Sequence, residues 1–257
     1  MINYQAKPDL LNKKTILITG ASDGIGREVA LTYSRYSANL ILIGKTKSKL
    51  KKIKQEILST SKNCTPLIHT YAIDLLTINQ SKCYELVTKI NQYCPYLDGL
   101  LHNASILGKI APILEQPIKL WLDVIQINVN ATFMLTKSLL PLLLKAPNSS
   151  LIFTTSSVGK KGRANWGAYS VSKFATEGLM QVLFDEYKDS HLRINCINPG
   201  ATRTQMRANA FPMENPKNIK EPKEIMNIYL YLMGKDSIKE SGMYFNAQDG
   251  SNYNIFI

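Results

Sequence analysis

A tyrosine and a lysine four residues apart form the first group in this sequence that could do acid–base chemistry. Tyr169 and Lys173 occur in the run Tyr-Ser-Val-Ser-Lys, on a pattern that continues helically through Phe184. Side chains four positions apart lie one turn apart on one helix face. A cation beside a phenol lowers its pKa, which is otherwise about 10. The spacing therefore predicts that Tyr169 exchanges a proton near neutral pH. A surface tyrosine and lysine is the structural alternative.

Ser156 favours the catalytic interpretation of this pair. It ends a predicted strand at residues 150 to 156, shortly before the helix that carries Tyr169. A hydroxyl at this place could polarise a substrate carbonyl while the tyrosine donates a proton.

A glycine-rich turn supplies the second motif. Residues 19 to 26 read Thr-Gly-Ala-Ser-Asp-Gly-Ile-Gly and lead into a helical pattern starting near Arg27. Gly20 allows a tight turn, Gly24 lets backbone approach a pyrophosphate, and Gly26 permits close packing of helix on strand. Free N–H groups at the helix N-terminus suit the phosphates. Glycines also occur in such loops for steric reasons, but the position after the first strand favours dinucleotide binding.

The elements that must position these motifs alternate along the chain. Short apolar runs predict seven strands, at residues 15–19, 39–44, 66–73, 99–105, 150–156, 193–198 and 243–247. Helical patterns lie between them, for example the stripe formed by Leu50, Ile53, Ile57 and Leu58. This rhythm predicts one α/β domain over residues 1 to 257, with helices on both faces of a parallel sheet.

Two segments interrupt the rhythm, at residues 106 to 117 and 201 to 220. Both follow the carboxyl ends of strands, where ligands bind in open α/β sheets, so we expect substrate selectivity to reside there. Met206, Phe211 and Met213 supply apolar surface in the second segment. We predict that residues 203 to 220 form a mobile lid over the substrate.

Composition bounds the class of protein. The chain has 257 residues, is 45% hydrophobic, and carries no apolar signal-peptide run in its first fifteen residues. Its most apolar later stretch is short and interrupted by Pro141, so no membrane span is expected. The cysteines and histidines lack metal-ligand spacing, which predicts no metal and reduced thiols in a cytoplasmic protein. These residues are Cys64, Cys83, Cys94, Cys196, His69, His102 and His191.

The formal net charge is +12. Such a charge could indicate affinity for nucleic acid, for an anionic membrane or for an acidic substrate carrier. It could equally reflect a sequence rich in Lys, Ile and Asn, whose codons are AT-rich. We therefore expect no specific nucleic-acid or membrane partner.

The turn, the strand-end serine, the Tyr-Lys pair and a later Pro199-Gly200 occur in an order that resembles the short-chain dehydrogenase/reductase family over nearly the whole chain. The resemblance extends to bacterial 3-oxoacyl-carrier-protein reductases and to a less characterised branch of bacterial oxidoreductases. It implies a single Rossmann-type domain with seven parallel strands in the order 3-2-1-4-5-6-7. It also implies hydride transfer between a nicotinamide cofactor and a carbonyl or hydroxyl group of a small or acyl-carrier substrate. Relatives form homodimers or homotetramers through the tyrosine helix, here about residues 165 to 187.

The resemblance assigns catalytic roles to four residues. Ser156 orients the carbonyl, Tyr169 is the acid/base, and Lys173 tunes the tyrosine and holds the nicotinamide ribose. Asn128 supports a proton relay through water, with a solvent-facing helix asparagine as its alternative. The cofactor-binding set is Gly20, Ser22, Asp23, Gly24, Ile25, Gly26, Lys45, Asp74, Leu75, Asn103, Tyr169, Lys173, Pro199, Gly200 and Thr202.

Some members of this set have other interpretations. Asp74 resembles the aspartate that contacts adenine, but it could instead cap the next helix. Pro199, Gly200 and Thr202 could form an ordinary turn. The family's Asn-Asn-Ala-Gly sequence reads His102-Asn103-Ala104-Ser105 here, a departure that concerns the conformation of this loop. We interpret His102 as a packed strand residue.

The end of the second strand predicts the cofactor. An acidic residue there would bind the ribose hydroxyls of NAD(H) and repel a 2′-phosphate. Gly44 stands at that position and Lys45 follows it. The potential suits a phosphate, so NADP(H) is predicted over NAD(H). The lysines from Lys49 through Lys54 are interpreted as a solvated helix face.

Three functions follow as hypotheses. The leading one is an active NADP(H)-dependent carbonyl reductase or alcohol dehydrogenase. The second is a nucleotide-binding regulatory protein that kept the fold without turnover. The third is a basic protein that binds RNA or membrane lipids.

Overall fold

A computed structural model describes residues 4–60 and 66–254, so Cys64 lies outside the described residues. The strands are β1 Thr15–Thr19, β2 Asn39–Gly44, β3 Ile68–Ala72, β4 Gly99–His102, β5 Ser149–Thr154, β6 Leu192–Asn198, β7 Met243–Asn246 and β8 Asn252–Asn254. The α-helices are α1 Gly24–Arg35, α2 Lys47–Thr60, α3 Gln80–Asn91, α4 Ile118–Ile125, α5 Ala131–Lys145, α6 Gly167–Tyr187, α7 Gln205–Ala210 and α8 Met226–Met233.

The strands form one sheet in the order β3-β2-β1-β4-β5-β6-β7-β8. The first seven are parallel, which confirms the predicted order 3-2-1-4-5-6-7. The eighth strand pairs antiparallel to β7, with Met243 opposite Asn254. It was not predicted, because the sequence Asn-Tyr-Asn has no apolar run and its strand conformation comes from pairing with β7.

Each face of the sheet packs against its own helices. Ile16 and Ile18 contribute to a core that includes α1, α2 and α8. Leu17, which points to the opposite face, belongs to a second core with α3, α5 and α6. This alternation follows from the two-residue period of a strand, and both faces need apolar residues because both are covered. The same arrangement brings the carboxyl ends of the parallel strands to one edge.

Three of the four residues predicted for the apolar stripe on α2 are buried in the structure. Leu50, Ile53 and Ile57 are buried, as predicted. Leu58 is 39% exposed, so its inclusion in the stripe was wrong. A helical turn is 3.6 residues, and the position after Ile57 is rotated about 100° away from it.

Helix α4, a π-helical turn at Gln126–Asn130 and α5 form one continuous helix over Ile118–Lys145. Its 28 residues are long and apolar enough, by length and composition alone, to cross a membrane. Burial in the second core accounts for the apolar residues Leu135, Leu139 and Leu142. Pro141 does not interrupt α5, contrary to the sequence interpretation. It lies on the exposed side, where water can bind the carbonyl that loses its partner.

Candidate active site

Two adjoining cavities open at the carboxyl ends of the strands. The larger, of about 370 Å³, runs from the glycine-rich turn to Tyr169 and Lys173. The smaller, of about 150 Å³, is lined by Ser156 and also by Tyr169. We call them the cofactor cavity and the substrate cavity. Their shared lining places Tyr169 at the junction between them.

The glycine-rich turn has the backbone that its glycines predict. Gly20 has a φ of +67°, which only glycine adopts readily, and a Cβ on Gly26 would collide with the carbonyl oxygen of Gly20. The helix begins at Gly24 rather than near Arg27. Its cap is the Asp23 carboxylate, which accepts a hydrogen bond from the Gly24 N–H at 2.8 Å. Helix and strand therefore approach closely at the end of the cofactor cavity.

Thr19 connects this turn to the loop after β4. Its Oγ1 accepts hydrogen bonds from the backbone N–H of Asn103 at 3.1 Å and of Ala104 at 3.2 Å. Sequence reasoning gave Thr19 no role. The sequence feature that could have indicated this role is a hydroxyl residue at the last position of β1, where a side chain can reach the end of the neighbouring strand.

A salt bridge joins two lining residues of the cofactor cavity, Lys45 and Asp74. Lys45 Nζ lies 3.0 Å from Asp74 Oδ2, and Asp74 Oδ1 accepts from the Leu76 N–H at 3.0 Å. Burial acts to raise the pKa of Asp74, but the Lys45 and Leu76 contacts lower it overall. Asp74 is not the cap of the next helix, since Asn79 caps α3. Asp74 lines the cofactor cavity, as does Leu75.

Lys49 does more than form a solvated helix face, which corrects the sequence interpretation. Its Nζ lies 2.6 Å from the carboxylate of Asp23 in the glycine-rich turn. This contact is the main reason that the pKa of Asp23 is lowered. The contact was not visible in the sequence because α2 and the turn are separated along the chain and meet only in the folded sheet.

Tyr169 and Lys173 lie one turn apart on α6, as predicted. The Lys173 ammonium is 5.4 Å from the centroid of the Tyr169 ring and donates to the Thr154 carbonyl oxygen at 2.9 Å. Both side chains are buried. Burial lowers the pKa of Lys173 to about 8. Burial also raises the pKa of Tyr169 to about 12, with the Ser156 hydroxyl acting in the opposite direction. The pKa of Tyr169 is therefore raised, and the expected lowering by Lys173 was wrong.

A buried carboxylate follows one turn later on the same helix. Glu177 accepts a hydrogen bond from Thr155 Oγ1 at 2.6 Å. Thr155 directly precedes Ser156 in the sequence. Burial raises the pKa of Glu177, while its negative charge helps to raise that of Lys173 against the effect of burial. Sequence reasoning missed Glu177. Its signal was a carboxylate four positions after Lys173, on one helix face.

Asn128 lies in the π-helical turn and is buried, so it is not a solvent-facing helix residue. Its Nδ2 donates to the Ile106 carbonyl at 2.9 Å and to Ser172 Oγ at 3.0 Å. Its Oδ1 accepts from the Ile106 N–H at 2.9 Å. The amide hydrogens of the side chain are thus used within the protein. What the geometry provides is attachment of the loop after β4 to α6, and the proton relay stays a proposal.

Residues 102 to 105, where the chain departs from the family sequence, include both packed residues and residues that line a cavity. His102 Nε2 lies 2.9 Å from Thr136 Oγ1, and burial lowers the pKa of His102 to about 3. This packing supports the interpretation of His102 as a strand residue. Asn103 and Ser105 line the cofactor cavity. Within the described part of the chain, the buried Ser105 Oγ has no hydrogen-bond partner.

The turn after β6 is locally bonded and also lines the cavities. The Gly200 N–H donates to Asn198 Oδ1 at 3.0 Å, and Thr202 Oγ1 donates to the Pro199 carbonyl at 3.2 Å. Pro199 lines both cavities, whereas Gly200 and Thr202 line only the substrate cavity. The turn interpretation and the ligand interpretation are therefore compatible.

Part of the segment from residue 203 to residue 220 lines the two cavities. The Arg203 N–H donates to the Lys220 carbonyl at 2.8 Å, which joins the two ends of the segment. Met206 lines both cavities and Phe211 lines the substrate cavity. Met213 is 97% exposed and lines neither cavity.

Most of the predicted set thus comes together. The predicted cofactor residues that line the cofactor cavity are Gly20, Ser22, Asp23, Gly24, Ile25, Lys45, Asp74, Leu75, Asn103, Tyr169, Lys173 and Pro199. Gly26 lies outside this lining, against Gly20. Among residues 4–60 and 66–254, no group of three or more His, Cys, Asp or Glu side chains could hold a metal ion.

Known proteins resemble the chain closely. Residues 14–215 match the family model for short chain dehydrogenases. The uncharacterised oxidoreductase YciK of Escherichia coli (strain K12) is 55% identical over 249 residues, which cover 97% of each chain. A short chain dehydrogenase structure from Shigella flexneri, complexed with NADP, is 56% identical with a TM-score of 0.90 and covers 94% of this chain and 100% of its own. One from Escherichia coli CFT073, complexed with NADPH, is 56% identical with a TM-score of 0.91 and covers 95% and 100%.

Proposed function

Because the chain belongs to the short-chain dehydrogenase family, we propose that this oxidoreductase uses NADP(H) to interconvert a carbonyl compound and an alcohol. The observation that carries the proposal is the meeting of Ser156, Tyr169 and Lys173 where the two cavities join. One cavity suits a dinucleotide and the other a small substrate. The reacting groups are at the boundary that a hydride would have to cross.

The residues present fit a dinucleotide. The larger cavity begins at a glycine turn with positive φ that leads into the N-terminus of α1, the usual binding arrangement for a pyrophosphate. Ser105 lines the same cavity, and its hydroxyl is buried without a hydrogen-bond partner among the described residues. Residues Gly20 to Ile25 would hold the pyrophosphate, and Lys173 the nicotinamide ribose. When bound, the cofactor supplies or accepts the hydride.

The chain's own side chains then manage the proton. Ser156 donates a hydrogen bond to the substrate oxygen and fixes it beside Tyr169. In reduction the Tyr169 hydroxyl gives its proton to that oxygen as negative charge develops there, and it takes a proton back from solvent. The Lys173 ammonium stabilises the phenolate that forms. Asn128 holds the loop at Ile106 and, through Ser172, the helix that carries both residues.

The 2′-phosphate of NADP(H) is favoured at the end of β2. Gly44 leaves no carboxylate at the usual acidic position, and Lys45 and Lys49 both lie at this edge. Their partners Asp74 and Asp23 would lose part of these contacts to the phosphate. The two relatives complexed with NADP and NADPH support this assignment.

The other two hypotheses have less support. A regulatory protein without turnover has no need for a Ser-Tyr-Lys group, with Tyr169 and Lys173 buried, beside an open cavity. A nucleic-acid or membrane protein rests on the net charge of +12 alone. We propose a small-molecule or acyl-carrier substrate in a cytoplasmic protein.

We also propose a homodimer or homotetramer that pairs through α6. Val171, Phe174 and Val182 form an exposed apolar line on this helix. Gly178 interrupts that line, and a Cβ there would meet nothing within 4 Å. Glycine inside a helix costs about 1 kcal/mol relative to alanine. Close approach of a second helix would explain both features.

The test is oxidation of NADPH and of NADH by the purified protein over a panel of carbonyl compounds. We expect turnover with at least one compound and a lower KM for NADPH. Ser156→Ala should reduce turnover without loss of NADPH binding. Tight NADPH binding with no turnover on any compound would instead support the regulatory alternative.

A further inference from the structure

The substrate cavity has an aromatic wall. The ring centroids of Tyr169 and Trp166 are 5.8 Å apart, and those of Trp166 and Phe211 are 5.7 Å apart. All three residues line the cavity together with the aliphatic Leu107. A volume of about 150 Å³ limits the occupant to a small molecule. Its body is therefore apolar or planar where it meets this wall.

The charged residues of the same lining all have one sign. Arg163 and Arg207 line the cavity, and none of the lining residues is acidic. Arg207 is already neutralised by Glu214, with nitrogen–oxygen distances of 2.7 and 2.6 Å, and it stacks on Phe211. By contrast, the Arg163 guanidinium makes no hydrogen bond or ion pair with any residue that the structure describes. Arg163 is thus the cation of this cavity that is available to a ligand.

We propose that the substrate is a small carbonyl compound that carries an oxyanion, a carboxylate or a phosphate, which Arg163 binds. This inference rests on the proposed function, because the site is taken to be the place of carbonyl reduction. The planar guanidinium presents paired donors that match both anions. The substrate carbonyl would lie at Ser156 and Tyr169 while its apolar body lies on Trp166.

The test compares matched anionic and neutral substrates. Benzoylformate and methyl benzoylformate share an aromatic ring and a ketone, and dihydroxyacetone phosphate and dihydroxyacetone form the phosphate pair. Steady-state kinetics with NADPH are measured for the parent, for Arg163→Gln and for Lys161→Gln. Lys161 is an exposed neighbour outside the cavity lining, so its variant loses the same charge without losing the proposed contact.

We expect Arg163→Gln to raise KM for the anionic member of one pair by about three- to tenfold, the range between an exposed ion pair and a charge-assisted hydrogen bond. KM for the neutral member should not change, and Lys161→Gln should leave both unchanged. Arg163→Lys should recover part of the loss. The pair that responds distinguishes a carboxylate from a phosphate. Equal effects of the Arg163 and Lys161 variants, or a loss on both members of the pairs, would overturn the inference.

A binding measurement separates this inference from the proposed function. Benzoylformate and dihydroxyacetone phosphate are titrated into the NADP⁺-saturated protein, where no reduction can occur. Weaker binding to Arg163→Gln than to Lys161→Gln supports the anion site even if the kinetic panel shows no turnover, an outcome that would reject only the proposed function. Equal binding to the two variants overturns the anion site whether or not the protein turns over neutral carbonyls.

Discussion

Lys173 lies 5.4 Å from the centroid of the Tyr169 ring and is anchored by a hydrogen bond to the Thr154 carbonyl. Burial acts on the two groups in opposite directions, raising the pKa of Tyr169 to about 12 and lowering that of Lys173 to about 8. In each case burial favours the neutral form. Tyr169 therefore remains a proton donor across the neutral range, which suits reduction of a carbonyl. Lys173 is the group whose charge changes just above neutral pH.

A pH profile tests this difference. Lys173 loses its proton as the pH rises through about 8, so kcat/KM for carbonyl reduction should fall above that pH. Burial lowers the pKa of Lys173, and the negative charge of Glu177 acts in the opposite direction by raising it. Glu177→Gln should consequently move the break in the profile to lower pH. Steady-state rates from pH 6 to about 10 measure both. A profile that is flat through this range, or a break that Glu177→Gln leaves in place, would contradict the role of Lys173.

Cofactor preference should depend on Lys45. Lys45→Gln is expected to weaken NADPH binding by about fivefold and NADH binding little, a modest effect because the Lys45 side chain is 71% exposed. Fluorescence titration of both cofactors measures it. The matched control is Lys52→Gln, which removes an exposed charge from α2. Equal or tighter binding of NADH by the parent protein would reject the NADP(H) assignment.

Gly44→Asp is a less clean test of the same preference. A carboxylate there should repel the 2′-phosphate and reduce or reverse the preference for NADPH. However, a Cβ at residue 44 would lie 3.0 Å from Ser22 Oγ, within the cofactor cavity. Gly44→Ala separates the steric effect from the charge, and the difference between the two variants is the informative quantity.

Residues 203 to 220 should become more ordered when both ligands bind. Met206 and Phe211 line the substrate cavity. Arg203 bonds to Glu221 and Arg207 bonds to Glu214, so the segment has internal and flanking ion pairs that can order it. Hydrogen exchange should therefore slow across the segment in the presence of NADP⁺ and a substrate analogue. The core strand β5 serves as the internal reference. Unchanged exchange with and without both ligands would count against a lid.

Assembly should depend on α6. Sedimentation of the parent protein should show a dimer or tetramer. Gly178→Trp fills the space that a second helix would need, so it should shift the protein toward monomer. Thr60→Trp, at the end of α2 and away from this helix, is a control for a large surface residue. A parent protein that sediments as a monomer would reject the proposed pairing.

Contiguous motifs could be predicted from the sequence, whereas contacts between distant segments could not. Tyr169 and Lys173 share one helix, and the backbone at Gly20 follows from the absence of a side chain, so local geometry sufficed. The Lys49–Asp23 pair and the Thr19 bonds depend on how neighbouring strand ends meet. Burial also changed a conclusion. The nearby lysine predicted a lowered pKa for Tyr169, but desolvation by burial raises that pKa.

The most direct test of the central claim is turnover by Tyr169→Phe, measured beside the parent protein with NADPH and an accepted carbonyl substrate. The substitution removes the proton donor and keeps the ring that packs against Trp166. We expect kcat to fall by about 10² to 10⁴-fold, the usual contribution of a general acid, with NADPH binding retained in a parallel titration. Activity within a few-fold of the parent protein would remove Tyr169 from the mechanism and contradict the assignment of this site.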